Sequence, residues 1–359
     1  MEVPYYKETR VEGKYVSYGL LETVLKDYEH WYISEGFSEK LYPIPLYRIG
    51  EGKKCILIWS QMHGNESTTT RALLDLFKLF TQEGYPFNNC QLYIIPMLNP
   101  DGATQYTRVN GNGVDLNRDA IALSQRESRF LRSVYNRMRP HFCFNLHDQR
   151  TIFGVGDRPA TVSFLAPAVD EDRNVTRVRR KAARVITEMN NYLQLSINGF
   201  VGRFDDSFNP NCTGDQYSLL GTPTILIESG FYPGDYQREQ TRKYIAQALY
   251  VGLSYINDNK VGTEGWKHYL EIPENKKCFR DYCIIDDRNP QEKIFVQLEE
   301  VLEGDRIVFI PKLVSEDEGK DFQAHKTYLL SEICPWEHCD LHSEIPYILD
   351  YIRKEVENM

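Results

Sequence analysis

Residues 53–80 read KKCILIWSQMHGNESTTTRALLDLFKLF, and the hydrophobic period changes in the middle of this run. The first part, 53–61, is a nearly continuous apolar run that is typical of a buried strand. From Ser67 onward the apolar residues recur at helical spacing, which predicts a helix over 67–80 capped by Ser67 or a neighbouring threonine. A buried strand followed directly by an amphipathic helix is typical of an α/β protein.

The same alternation of strands and helices continues along the chain. Apolar runs predict further strands at 91–98, 141–148 and 222–229, and helical patterns predict helices at 127–139, 171–193 and 235–256. We therefore predict an α/β fold built on one sheet.

The pattern of predicted secondary structure changes after about residue 262. The segments CFRDYCIID, EKIFVQL and DRIVFIPKL predict short strands between polar turns, and SEIPYILDYIRKEVENM predicts a terminal helix. We therefore predict two parts, a larger α/β domain over 1–260 and a small β-rich region over 261–359 that ends in a helix.

Bulk composition excludes several classes of function. The net charge of −9 argues against a nucleic-acid groove, which needs excess lysine and arginine. The start, MEVPYYKETRVEGKYV, lacks the pattern of a signal peptide, and no apolar stretch is long enough to cross a membrane. With no secretory signal, the 8 cysteines are expected to be reduced thiols of a cytoplasmic protein.

His63 and Glu66 lie in HGNE, between the first strand and its helix. A catalytic zinc needs about three protein ligands and an open position for water. An imidazole and a carboxylate at this spacing can reach one ion if the chain turns between them, and Gly64 permits a sharp turn. A pair of this kind usually occurs by chance, so it needs support from elsewhere in the chain.

Other polar residues stand at the ends of predicted strands. His147 ends the strand at 141–148, Asn99 follows 91–98, and Glu228 lies near the end of 222–229. Ligands of open α/β sheets collect at the carboxyl ends of strands. A buried carboxylate such as Glu228 needs a partner or a function, and the structural alternative is an ion pair with an arginine.

The segment NPDGATQYTRVNGNGVDLNRD (99–119) is rich in turn residues and carries Arg108, Asn117 and Arg118. A solvated loop is one interpretation. The other is an anion clamp, since an arginine fork binds a carboxylate through two hydrogen bonds.

Together these motifs resemble the zinc carboxypeptidase family, the carboxypeptidase A-like metallopeptidases. The likeness covers about residues 45–255 and consists of HGNE, NPDG, TRVN, GVDLNRD, NLHD and ILIESGF in that order. It implies a mixed central sheet flanked by helices, a catalytic role for residues 1–260, and a Zn²⁺ cofactor. The zinc ligands that it implies are His63, Glu66 and His147.

The resemblance also implies roles for four further residues. Glu228 matches the glutamate that activates the water and then protonates the leaving amine. Arg108 matches the arginine that polarises the scissile carbonyl. Asn117 and Arg118 match the pair that grips the terminal carboxylate of the substrate, and we expect this guanidinium to be buried.

The function implied is hydrolytic removal of a C-terminal residue from a peptide, a metallocarboxypeptidase activity. HGNE and the β-rich tail also resemble a sister branch, the succinylglutamate desuccinylases and aspartoacylases, so deacylation of an N-acyl amino acid is the alternative. Both readings require a substrate with a free carboxylate. An inactive, binding-only relative is the third candidate, but such relatives usually lose the base or a ligand.

The sequence departs from the best-known members of the family in three places, one of which is a shorter loop between His63 and His147. Asn65 stands where those members carry an arginine, and the tyrosine that caps the substrate has only the nearby candidates Tyr217 and Tyr232. Asp205 and Asp206 precede the general base and are candidates for the side-chain pocket, although a solvated loop is the simpler interpretation.

A group of thiols and imidazoles occurs near the end of the chain, in CPWEHCDLH (334–342). Four ligands so close in sequence rarely wrap one ion, because structural zinc sites normally use well-separated pairs. We therefore predict a turn here instead of a second metal site.

Overall fold

The computed structural model describes residues 3–258, 260–315, 322–336 and 339–357. In chain order the strands are β1 (Tyr32–Phe37), β2 (Pro43–Ile49), β3 (Lys54–Trp59), β4 (Cys90–Ile95), β5 (Phe142–Asp148), β6 (Phe153–Val155), β7 (Arg158–Pro159), β8 (Val162–Leu165), β9 (Val201–Arg203), β10 (Thr224–Ser229), β11 (Lys276–Lys277), β12 (Phe279–Ile285), β13 (Lys293–Glu303), β14 (Arg306–Leu313) and β15 (Gln323–Leu329). The helices are α1 (Tyr18–Leu25), α2 (Thr68–Glu83), α3 (Pro100–Gln105), α4 (Arg126–Met138), α5 (Arg177–Leu193), α6 (Thr213–Leu219), α7 (Glu239–Asp258), α8 (Leu330–Ile333) and α9 (Ile345–Val356).

A mixed sheet of 8 strands forms the centre of the larger part, in the order β1-β2-β4-β3-β5-β10-β8-β9. Strands β4, β3, β5 and β10 run parallel, and antiparallel pairings flank them at β2–β4 and β10–β8. The predicted α/β fold with a mixed central sheet flanked by helices is confirmed.

Helices cover both faces of this sheet, which explains why its central strands are apolar throughout. In β3, Ile56 and Ile58 pack into one hydrophobic cluster with residues of α2, α5 and α7. Leu57 and Trp59 point the other way, as alternate strand residues must, and pack into a second cluster with α4 and α6.

The start of α2 is capped by a residue from a neighbouring strand. Ser67 occupies the N-cap position without making a cap hydrogen bond, and its hydroxyl donates to the Lys14 carbonyl instead. The Thr68 N–H donates to Asp148 Oδ2 at 3.0 Å. Ser67 therefore occupies the predicted N-cap position, but Asp148 of β5 supplies the side-chain hydrogen bond of the cap in its place.

The appended region forms its own sheet, in the order β14-β13-β12-β15, and α9 packs against it through Ile348, Ile352 and Val356. The small β-rich appendage is thus confirmed, and the boundary between 260 and 261 stays a prediction. The last residues of the predicted terminal helix, 358–359, lie outside the described part of the chain.

The parallel pair β5–β10 sets the geometry of the functional site. His147 and Glu228 are register partners on these adjacent strands, near their carboxyl ends. His63 follows the end of β3, which lies on the other side of β5.

Within the described ranges, no helix combines the length and the apolar character that crossing a bilayer requires.

Candidate active site

Three side chains that the sequence identified as candidates converge at the carboxyl ends of the parallel strands. His63 Nδ1 lies 2.8 Å from Glu66 Oε1, and His147 Nδ1 lies 2.9 Å from Glu66 Oε2 and 3.2 Å from His63 Nδ1. All three residues are buried, and one ligand atom from each lies within 4.8 Å of the others.

The donor set suits a zinc ion. Ligand atoms about 2.0–2.1 Å from a tetrahedral zinc are about 3.3 Å apart. The separations of 2.8, 2.9 and 3.2 Å between the three side chains are slightly shorter than this. A small outward movement of the side chains would therefore accommodate the ion.

Gly64 allows the chain to turn between the first two candidate ligands. A Cβ atom at this position would lie 1.9 Å from the backbone carbon of Gly102, so only glycine fits against α3. The Glu66 N–H closes the turn by donating to the His63 carbonyl at 3.1 Å.

Asp115 orients His63 from the side away from the other ligands. Its Oδ1 lies 3.1 Å from His63 Nε2, which therefore donates and leaves Nδ1 free to bind a metal. The corresponding Nε2 of His147 is buried and has no hydrogen-bond partner among the described residues. A carboxylate thus supports one of the two candidate imidazole ligands and not the other.

The electrostatics of the cluster favour a carboxylate between two imidazoles. Burial opposes ionisation of Glu66, but the adjacent His63 and His147 outweigh it and hold the pKa of that carboxyl well below its usual range. Burial lowers the pKa of His147, which favours the neutral ring that a metal ligand needs.

Glu228 lines the same cavity beside the cluster and is partly exposed to it. Burial raises the pKa of Glu228 well above its ordinary value, and the carboxylates of Glu66 and Asp148 raise it further, while Arg108 opposes them. A carboxyl whose affinity for protons is raised in this way is suited to general acid–base catalysis.

Arg108, predicted to be catalytic, and Asn117 and Arg118, predicted to bind the substrate carboxylate, also line the cavity. Arg108 is 47% exposed and contacts Glu66 Oε1 at 3.3 Å and Asp115 Oδ2 at 3.1 Å. Asn117 is buried and accepts a hydrogen bond from the Thr213 N–H at 2.9 Å. Arg118 is exposed, not buried as the sequence led us to expect, and donates to the Asn117 carbonyl at 2.8 Å.

The cavity has a volume of about 1040 Å³ and one of its walls comes from the appended sheet. This wall consists of residues from β13 and β14, namely Gln297, Leu298, Glu299, Glu300, Phe309 and Lys312. None of them belongs to the His-Glu-His group, the cluster of potential metal ligands found among the described residues.

Of the other predicted residues, Asn99 and Asp206 do not line the cavity. Asn99 caps α3 by accepting from the Gly102 N–H, and its Nδ2 donates to the Met62 carbonyl. Asp205 lines the cavity, but Asp206 pairs with Arg173 and Arg179. His338, one of the candidate metal ligands in the segment 334–342, lies outside the residues that the structure describes.

Neither candidate for the substrate-capping tyrosine lines the cavity. Tyr217 is buried and stacks on Tyr135, and Tyr232 packs between Phe200 and Tyr244. Among the described tyrosines, Tyr236 is the one that lines the cavity. Its position in the chain carries no motif, so the sequence offered no reason to choose it.

Known proteins resemble part of this chain in sequence. A family model described as zinc carboxypeptidase matches residues 34–141. Carboxypeptidase 2 of Trichophyton tonsurans is 27% identical over 97 residues, which make up 25% of this chain and 18% of that protein. The match therefore spans less than a fifth of the relative's length.

Solved structures share the fold at low sequence identity. A metallo-carboxypeptidase from Burkholderia cenocepacia has a TM-score of 0.54 and 16% identity, with 68% of this chain and 70% of the other covered. The carboxypeptidase A of Helicoverpa armigera has a TM-score of 0.55 and 18% identity, with coverages of 68% and 74%.

Proposed function

Because the resemblance to the zinc carboxypeptidase family is confirmed, we propose that this chain is a zinc metallocarboxypeptidase that removes the C-terminal residue of a peptide. The observation that carries the proposal is the convergence of His63, Glu66 and His147 beside Glu228, in one cavity that is also lined by Arg108 and Arg118. A binding-only protein would have no need of a carboxyl in the position of Glu228.

His63, Glu66 and His147 would hold the zinc, since they offer two imidazoles and one carboxylate at suitable separations. When bound, zinc acts as a Lewis acid and lowers the pKa of water towards about 7. A divalent cation at this position would also oppose the charge of Glu66, and so favour the ionised form of Glu228.

Glu228 is proposed as the general base and then the general acid. Its carboxylate faces the cavity next to His147 and would accept the proton of the attacking water. The same oxygen would return that proton to the leaving amine nitrogen, so that the peptide bond breaks without releasing a free amide anion.

The arginines supply positive charge where the reaction needs it. Arg108 is half exposed, and its guanidinium would stabilise the oxyanion that forms on the scissile carbonyl. Arg118 with Asn117 would bind the terminal carboxylate, which places the bond to be cut one residue inward.

The role of Arg118 can be tested with a pair of peptides that differ only in a C-terminal acid or amide. Because Arg118 is exposed, solvent partly screens the ion pair that the amide peptide cannot make. We expect the amide peptide to be cleaved about a hundredfold more slowly than the acid peptide. This difference is smaller than the ~10⁴-fold discrimination of a site with a buried arginine fork. Mass spectrometry should show loss of one residue from the acid, and Arg118→Ala should narrow the gap. Equal cleavage of both peptides, or cleavage within the chain, contradicts the proposal.

Deacylation of an N-acyl amino acid remains the second candidate, because the appended sheet forms one wall of the cavity and favours a short substrate. A series of N-acyl amino acids beside peptides of two to six residues separates the two. Faster cleavage of the acyl amino acids would assign the chain to the second reaction.

A further inference from the structure

Asn145 is a fully buried amide that the reaction proposed above does not use. Its exposure is 0%, it lines the cavity, and neither Oδ1 nor Nδ2 has a hydrogen-bond partner among the described residues. An unpaired buried polar group costs about 1–3 kcal/mol. A molecule bound in the cavity can satisfy this side chain.

Strand register places Asn145 in a layer directly below the proposed reaction centre. It lies two residues before His147 on β5, so both side chains point to the same face. Its neighbours in the same layer are Leu226 on β10 and Leu165 on β8, which also line the cavity. Two residues of strand span about 7 Å, which is within reach of one side chain of a substrate bound above.

The segment opposite this layer contributes Gly214 and Asp215 of α6. A Cβ atom on Gly214 would lie 3.5 Å from Asn145 Nδ2, so the glycine leaves room beside the amide. Asp215 is buried and lines the cavity, and burial raises its pKa to about 6.

The same segment contacts the residues proposed to hold the terminal carboxylate. The Thr213 N–H donates to Asn117 Oδ1 at 2.9 Å, and Arg118 Nη1 lies 3.1 Å from Cys212 Sγ. A terminal residue bound through its carboxylate at Arg118 would thus extend its side chain towards Asn145 and Asp215.

We propose that Asn145, together with Asp215, selects a terminal residue whose side chain ends in a carboxamide, with glutamine the best fit by length. The proposal rests on the carboxypeptidase function. A carboxamide accepts from Asn145 Nδ2 and donates to Asn145 Oδ1 and to Asp215, while its methylene groups pack on Leu226 and Leu165. This arrangement satisfies every polar atom that the layer presents.

Other side chains satisfy the layer less completely. A glutamate would place its carboxylate against Asn145 Oδ1 and the acidic Asp215. A methionine leaves both atoms of the Asn145 amide unpaired. A lysine donates to Asn145 Oδ1 and Asp215 but offers no acceptor to Asn145 Nδ2.

The first experiment uses the zinc-loaded protein and four peptides that differ only in their last residue, Gln, Glu, Met or Lys. We expect kcat/KM for the glutamine peptide to exceed each of the others at least about tenfold, the effect of one unmade hydrogen bond in a buried site. Asn145→Leu should abolish this preference and favour methionine. Asn198→Leu, the same change at an exposed site, should leave the preference intact.

A binding measurement tests the preference for glutamine independently of peptide cleavage. It includes a second substitution at Asn145 in case the first variant folds poorly. Calorimetry compares free glutamine, glutamate, methionine and lysine on the wild-type protein, Asn145→Leu and Asn145→Ser. Glutamine binding tightest, in a manner that depends on Asn145, supports the inference even if no peptide is cleaved, and only the proposed function then fails. Cleavage without a glutamine preference, or no preferential binding of glutamine, overturns the inference.

Discussion

Asp115 holds one candidate zinc ligand in position without being a ligand itself. It accepts from His63 Nε2 at 3.1 Å, and this contact selects the tautomer whose Nδ1 can bind a metal. We expect Asp115→Asn to weaken zinc binding about ten- to a hundredfold, as loss of such supporting contacts typically does. Competition with a chromophoric chelator measures the change.

Asp172→Asn is the matched control for this variant, because Asp172 is exposed. It should bind zinc like the wild-type protein. Unchanged zinc affinity in Asp115→Asn would show that Asp115 does not orient His63.

Strand β13 is joined to the larger part of the chain by an ion pair. Glu300 pairs with the Lys14 ammonium, which is only 5% exposed, and also accepts from the Tyr106 hydroxyl. Glu300→Ala leaves the nearly buried Lys14 ammonium without its carboxylate partner. Because Glu300 is itself 28% exposed, solvent reduces the cost, and we expect a loss of about 2–3 kcal/mol in the free energy of unfolding. Denaturant titration measures it.

The neighbouring Glu299 provides the control on the same strand. It is 58% exposed and pairs with the exposed Lys312 at 3.7 Å, so Glu299→Ala should change stability by less than about 0.5 kcal/mol. Similar losses for the two variants would show that the buried pair does not stabilise the junction.

The parallel strands and long helices were predictable from the sequence because each carries a strong hydrophobic pattern. The edge strand β1 and its neighbour β2 were not, since exposed positions alternate in β1 and prolines interrupt β2. Motifs along the chain identified His63 and Glu228 as candidates. The layer containing Asn145 depends on register across three strands, which no local pattern reveals.

At the scale of the whole molecule, the two predicted parts share a hydrophobic cluster. Phe231 and Tyr236 belong to the larger part, yet they pack with Leu298 and Phe309 of the appended sheet. Because neither part buries this cluster alone, we expect one cooperative unfolding transition for the whole chain. Calorimetry with circular dichroism checks this, and two separate transitions would show that the appended region folds independently.

We propose that Glu228 moves the proton at a zinc site built by His63, Glu66 and His147. The most direct test compares kcat of the wild-type protein and Glu228→Gln on a free-acid peptide, with zinc content measured in the same samples. The amide keeps the size of the side chain but accepts no proton, so we expect about one zinc per chain in both proteins and a fall in kcat of at least about a thousandfold. A variant that binds zinc and retains more than a tenth of the wild-type kcat would show that Glu228 is not the general base.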